Sequence, residues 1–319
     1  MTRVAFFTAP KPFTDAHIRV IQRNAIRSWQ ALGGDVEVWL VGDEAGVEET
    51  ARELNVGYIP GVLKNSSGTP RIDSIFSLVR EKTLADTMCY VNADILVFPD
   101  MLRALDMVTA QVERFLIIGR RWDAAVTGTL DIKEGWHEQF QSDALAESKL
   151  HRAAGSDYFL FPRTEFTDIP AFAVGRAGWD NWMIYKGRRE HMAVIDATDV
   201  IKVIHQNHDF SHFANGKIHR LQPESAENMR LAGGRYTVYT IHDANYQLTE
   251  RALQRVRLNR WKLVREMTIF PAVTLHCPWL AKVVYALFNP KRLLKDRKQA
   301  REAQRFAKEV QNEKRSKSG

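Results

Sequence analysis

The stretch Cys89–Phe98, CYVNADILVF, runs apolar to Val91, breaks at Asn92 and Asp94, and returns at once to apolar residues. A buried strand gains nothing from an amide and a carboxylate two positions apart, because each costs desolvation unless a partner satisfies it. The pair is therefore either a turn, in which Asn and Asp bond their own backbone, or the rim of a site. The flanking sequence bears on which.

Upstream, the hydrophobic period switches repeatedly between two and 3.6. RVAFFTA reads as a buried strand, and DAHIRVIQRNAIRSWQALG places Ile18, Ile21, Ala25 and Trp29 at helical spacing before stopping at Gly33. DVEVWLVGD is a second strand, EAGVEETARELN a second helix and VGYIPGV a third strand. A polar loop, KNSSGTP, precedes the helix RIDSIFSLVREKTLAD and then the strand that ends in Asn92 and Asp94. This alternation predicts an α/β fold with a mostly parallel sheet and flanking helices. Ligands of such sheets bind at the carboxyl ends of the strands, where Asn92 and Asp94 lie.

Downstream the pattern is less regular. RFLIIG and SDYFLFP read as strands with the helix KEGWHEQFQSDALAESKLH between them; DNWMIYKGRRE is a short helix opening at Asp180; VIKVIH is a further strand running into QNHDFSH. Beyond YTIHDANYQL the composition turns helical and aromatic, then basic, which predicts a catalytic-type domain over residues 1–245 and a helical, basic extension over 246–319.

The chain has 319 residues, 45% of them hydrophobic and 26% charged, ordinary values for a folded protein. Its net charge of +7 is confined to the end: from Pro290 onward there are eleven Lys and Arg against four Asp and Glu, so the remainder is neutral. A neutral body argues against a nucleic-acid-coated surface and for a basic tail on an enzyme-like body. Two distant cysteines, Cys89 and Cys277, supply no disulfide framework and suit a reducing compartment. MTRVAFFTAPKPF has too short an apolar run before its prolines for a signal peptide, and no segment is long and apolar enough to span a bilayer. The expected location is cytoplasmic.

Several residues could carry chemistry. A carboxylate just past a strand, with an amide two positions earlier, suits a hard divalent cation and a nucleotide diphosphate; the plainer reading is a self-satisfied turn. Asp180 at a helix N-terminus either caps the helix or acts as a base, and flanking Trp179 and Trp182 favour a sugar-handling role, since sugars present apolar faces to indoles. VIHQNHDFSH offers His205, His208 and His212, which one helical face would gather into a zinc site; the strand character of VIKVIH works against that alignment at His205.

Taken together, the α/β half, the Asn-Ala-Asp after its fourth strand, GSDYFLF and GWDNWM resemble glycosyltransferases of the GT-A fold, over about residues 1–240. In that superfamily the motif is Asp-x-Asp, and its last Asp contacts the metal bridging the donor diphosphate. The resemblance implies Asp94 as that metal contact and Asn92, a departure from the motif, as a ribose contact. It implies Asp180 as the base of an inverting transfer, His205 (with His208 next) completing the sphere of Mn2+ or Mg2+, and Asp157 on the sugar and acceptor side together with Trp179. Thr8 and Pro10 in TAPKPF and Asp73 in SSGTPRIDS would meet the nucleotide; Arg120 in IIGRRWD would meet phosphate or acceptor, although a surface arginine is the cheaper explanation. The partners implied are a nucleotide diphospho-sugar and a glycan or lipid-linked acceptor of bacterial surface polysaccharide or glycolipid synthesis, with no nucleic acid. Residues 255–288 mix aromatic and basic side chains, which, with the basic tail, fits peripheral contact on the inner face of the cell membrane; packing on the catalytic domain is the alternative.

Three rival functions remain. A nucleic-acid-binding protein would work through the basic tail, and the neutral body argues against it. A sugar-phosphate nucleotidyltransferase would carry a Gly-rich basic loop after the first strand, which TAPKPFTDAH lacks; a metal hydrolase would be built on the three histidines.

Overall fold

The computed structural model describes residues 3–207 and 223–291, together with Leu294, Lys298 and Arg301. His208, His212 and most of the basic tail lie outside the described residues.

The first half alternates as its periodicity predicts: β1 (Val4–Thr8), α1 (Ala16–Gln30), β2 (Val36–Val41), α2 (Val47–Leu54), β3 (Gly57–Ile59), α3 (Ile72–Lys82) and β4 (Thr87–Val91). β1 and β4 are buried throughout, which is why they read as unbroken apolar runs. Asp15 caps α1 by accepting from the Ile18 N–H at 2.8 Å, and the helix buries Ile21, Ala25, Ile26 and Trp29 against the sheet. Two short strands and a helix follow: β5 (Ile95–Leu96), α4 (Asp100–Thr109) and β6 (Phe115–Ile118).

The second half contains β7 (Arg121–Ala124), α5 (Trp136–Glu147), β8 (Lys149–Leu150), β9 (Tyr158–Pro162), α6 (Trp179–Arg189), β10 (Ala193–Asp196) and β11 (Val203–Gln206). After the break come α7 (Pro223–Leu231), β12 (Tyr246–Leu248), β13 (Leu253–Arg255), α8 (Arg260–Val273) and α9 (Pro278–Phe288). Among the described residues the main sheet has the order β13-β12-β10-β6-β9-β4-β1-β2-β3. It is largely parallel, as expected; β9 runs antiparallel between β4 and β6, and β13 antiparallel at the edge. β1 is flanked by β2 on one side and β4 on the other, so the chain reverses its winding there, the topological position at which ligands of such sheets bind.

VIKVIH forms a strand as read, and that strand, β11, belongs to a second sheet of order β5-β11-β7-β8. Two features depart from the sequence reading. RRWDA, not read as a strand, forms β7 of that sheet. The boundary expected at residue 245 falls inside the packed structure. β12 pairs with β10, Glu266 of α8 meets the buried Arg188 of α6 at 2.7 Å, and Ile269, Ala272, Val273 and Ala281 join the main core. The composition shift marks a change in what the surface presents, while the sheet still needs the β12–β13 hairpin to cover its edge.

Candidate functional site

Asn92 and Asp94 occupy the turn between β4 and β5, closed by the Ile95 N–H donating to the Asn92 carbonyl at 3.1 Å. The turn also begins a constellation of charged side chains. Because β9 is antiparallel to β4, with Val91 opposite Tyr158, the residue preceding β9 arrives beside the residue following β4. The Asn92 N–H donates to the Asp157 carbonyl at 3.0 Å, and the Asn92 side-chain amide donates to Asp157 Oδ1 at 2.8 Å. Asp157 Oδ1 also accepts from Arg121 at 2.6 Å. An amide at position 92 can donate to a carboxylate where an aspartate would repel it, and that is a physical reason for Asn at the head of this motif.

The second sheet supplies the other wall. β11 pairs with β7 so that His205 lies opposite Asp123, and with β5 so that His205 also lies opposite Ile95, next to Asp94. His205 Nδ1 is 3.1 Å from Asp123 Oδ1, and His205 Nε2 is 3.6 Å from Asp94 Oδ2. Asp123 Oδ2 meets His151 Nδ1 at 2.8 Å, and Asp123 Oδ1 also accepts from Arg121 at 3.0 Å. Burial works to raise the Asp123 carboxyl, but the His151 hydrogen bond and the Arg121 charge hold it below its ordinary value. The side chains of Asp94, Asp123 and Asp157 keep between 18% and 24% of their surface, so the cluster borders solvent.

Asp180 reaches the same cluster from α6. Gly178 in the left-handed region (φ 113°) starts this helix, and Asp180 in the first turn accepts from the Gly178 N–H at 3.2 Å, so the cap-like contact is present. Burial nevertheless pushes the Asp180 carboxyl up to about 6, against the opposing pull of the Asn181 and Gly178 N–H groups, and the charge of Asp157 adds to the rise. Gly155 lies directly against it: a Cβ there would come within 2.2 Å of Asp180 Oδ2. Asp94 and Asp180 thus meet one charged network, the first through Arg121 and His205, the second through Asp157.

The indoles correct the reasoning that singled them out. Trp179 and Trp182 are each 6% exposed. Trp179 packs edge-on against Tyr90 at 4.9 Å and tilted against Phe159 at 5.3 Å, and Trp182 packs against Phe172 at 5.4 Å. They are core residues that seat α6 on the sheet, and a sugar would have to displace Tyr90 and Phe159 to stack on Trp179.

Thr8 is buried at the carboxyl end of β1, with no hydrogen-bond partner for its hydroxyl among the described residues, and Pro10 is buried in the loop that follows. Asp73 is held by Arg71 at 2.5 Å in the first turn of α3. Arg120 borders the network by donating to the His151 carbonyl at 2.6 Å. Sequence reasoning missed Lys11, Arg121, Asp123 and His151. Arg121 and Asp123, two apart on a strand, share a face, and that period-two spacing in RRWDA was the available signal. Lys11 is anchored by a pair of hydrogen bonds between its backbone and the Gln22 side chain. Burial lowers its ammonium pKa while nearby Asp94 works to raise it.

The donors present fit a divalent cation. Asp94 Oδ2 and His205 Nε2 are 3.6 Å apart, a separation that two ligands each about 2.1 Å from one Mg2+ can span. Asp123 Oδ1, 3.1 Å from His205 Nδ1, stands where an outer carboxylate would steady a metal-binding imidazole. No group of three or more His, Cys, Asp or Glu side chains suited to a metal gathers among the described residues, so other sphere positions would fall to ligand oxygens and water.

No family model matches the chain, and no curated protein matches it. Solved structures do. One is S. aureus TarS 1-349 in complex with UDP-GlcNAc, 12% identical with a TM-score of 0.47, covering 73% of this chain and 66% of its own. Another is glucosyl-3-phosphoglycerate synthase from Mycobacterium tuberculosis with Mn2+, UDP and phosphoglyceric acid, 14% identical with a TM-score of 0.46, covering 73% of this chain and 79% of its own. The same synthase with Mg2+ and UDP is 13% identical with a TM-score of 0.45, covering 73% and 80%. This chain spans just under two thirds of the TarS fragment.

Proposed function

We propose that the protein is a metal-assisted glycosyltransferase that moves a sugar, with inversion, from a nucleotide diphospho-sugar to a hydroxyl of a glycan or lipid-linked acceptor. The observation that carries the reading is the convergence, beside the carboxyl end of β4, of a cation-competent Asp94–His205 pair with a carboxyl, Asp180, whose pKa is raised to about 6 and which stands against Gly155 near Asp157.

Asp94 and His205 would hold the cation, with Asp123 fixing the imidazole. When bound, the cation neutralises the negative charge that develops on the leaving diphosphate. Lys11, projecting from the loop after β1 and already electrostatically linked to Asp94, adds positive charge on the nucleotide side. Asn92 and Arg121 hold Asp157 in place for hydroxyls of the sugar or acceptor. Asp180 takes the acceptor hydroxyl proton as its oxygen attacks. A carboxyl titrating near 6 is ionised at neutral pH yet more basic than an ordinary aspartate, which favours proton transfer. Gly155 leaves the space in which that carboxylate stands.

Thermal-shift measurements with a panel of nucleoside diphosphates, with and without Mn2+, test the reading. A rise in Tm that requires both nucleotide and metal is expected; a flat response across the panel removes the proposal. A sugar-phosphate nucleotidyltransferase, which joins a sugar phosphate to a nucleotide through a phosphoanhydride and releases pyrophosphate, would instead respond to a nucleoside triphosphate.

A further inference from the structure

α8 buries Ile269, Ala272 and Val273 against the core, yet its outward face is apolar too, because three of its charged residues turn toward the protein. Lys262, 3% exposed, donates to the carbonyls of His242 at 2.9 Å and Ala244 at 2.7 Å. Arg265 donates to both carboxylate oxygens of Asp243, at 2.6 and 3.1 Å, and Glu266 accepts from Arg188. Satisfying these groups inward rotates Leu263, Val264, Met267 and Phe270 outward, to between 48% and 62% exposed.

α9 repeats the pattern. Ala281 is its buried contact, and Trp279, Val283 and Leu287, at i, i+4 and i+8, form a stripe facing solvent. Of the large apolar side chains that stand exposed among the described residues, all but Leu63 and Leu84 fall between Leu258 and Leu294. An apolar surface concentrated in one hairpin marks a docking face.

Charge selects the occupant. From Met267 to Lys295 the sequence holds no Asp or Glu, and the segment from Pro290 onward carries the whole +7 of the protein. Trp261 and Trp279 are of the type that anchors at a lipid headgroup boundary. No described helix is long and apolar enough to cross a membrane. We infer that the outward face of the α8–α9 hairpin lies in the headgroup layer of an anionic lipid bilayer, its apolar stripes immersed. Lipid binding by this face does not depend on what the Asp94–Asp180 cluster does, so it is measured separately from nucleotide binding.

The test is co-sedimentation of the full chain with phosphatidylcholine vesicles, with and without phosphatidylglycerol. Wild type is expected to bind the phosphatidylglycerol vesicles, and Met267→Ser/Phe270→Ser/Trp279→Ser/Leu287→Ser to lose about tenfold or more in affinity with an unchanged urea midpoint. Quenching of tryptophan fluorescence by bromine-labelled acyl chains, reduced in Trp279→Phe, reads immersion directly. Equal binding by wild type and the quadruple variant would assign attachment to the basic tail alone and overturn the inference. So would absence of vesicle binding, or a lipid-free dimer by light scattering that the same substitutions dissociate, which would make the face a contact between copies.

Discussion

Asp180→Asn separates the burial penalty on this carboxylate from its contribution as a helix cap, because the two predict different stabilities, while the transfer rate reads its role as a base. Burial raises the Asp180 carboxyl from an ordinary 3.8 to about 6, a shift of roughly two units at about 1.4 kcal/mol each. The folded state therefore holds this proton to higher pH than the unfolded chain does. Ionisation opposes folding, and the stability present below about pH 4 is progressively lost as pH rises through about 6. Asparagine keeps an oxygen for the Gly178 N–H and never ionises. The variant should be roughly 2–3 kcal/mol more stable than wild type at pH 8, with the gain fading to nothing by about pH 4. If the side chain only caps, asparagine serves equally well and the difference stays near zero at every pH. Urea unfolding across this pH range, read at constant m, measures the effect. Transfer should meanwhile fall by on the order of a hundredfold or more, the contribution of a positioned base. A variant that is destabilised, or stabilised equally at pH 4 and pH 8, refutes the electrostatic account; one that turns over like wild type removes Asp180 from the mechanism.

Other substitutions probe the rest of the network. Asn92→Asp places a second carboxylate at the 2.8 Å contact with Asp157; it should cost on the order of 2–4 kcal/mol at pH 8, and less toward pH 5 as the pair gains a shared proton, so a pH-independent urea midpoint difference would contradict the repulsion. Asp123→Asn loosens the imidazole of His205 and should weaken Mn2+ binding by roughly 10–100-fold, followed by the free Mn2+ signal in electron paramagnetic resonance. Gly155→Ala pushes a methyl to within 2.2 Å of Asp180 Oδ2; transfer should collapse while the nucleotide-dependent Tm shift persists, and loss of that shift instead would mean the glycine supports the donor side.

The local order of α/β elements was legible because it is written in short-range periodicity: the apolar runs of β1 and β4, and the helical spacing of Ile21, Ala25 and Trp29. Asn92 and Asp94 could be singled out because polar residues interrupting such a run cost desolvation unless something answers them, and Asp180 because it opens a helix between two tryptophans; Asp157 and the metal role of His205 came from the resemblance to GT-A glycosyltransferases. Composition also located the basic end and the aromatic stretch before it. What answers each polar residue depended on pairings between distant segments. The antiparallel entry of β9 brings Asp157 against Asn92 across the sheet, and the second sheet brings Asp123 against His205. The tryptophans beside Asp180 could be read as sugar platforms because spacing alone does not reveal that Tyr90 and Phe159 cover one of them. The outward apolar face of α8 emerges only once Asp243 and Arg188 draw its charges inward. Periodicity and composition are properties of neighbouring residues, whereas partners, burial and pKa arise from contacts that exist only when the chain has closed on itself.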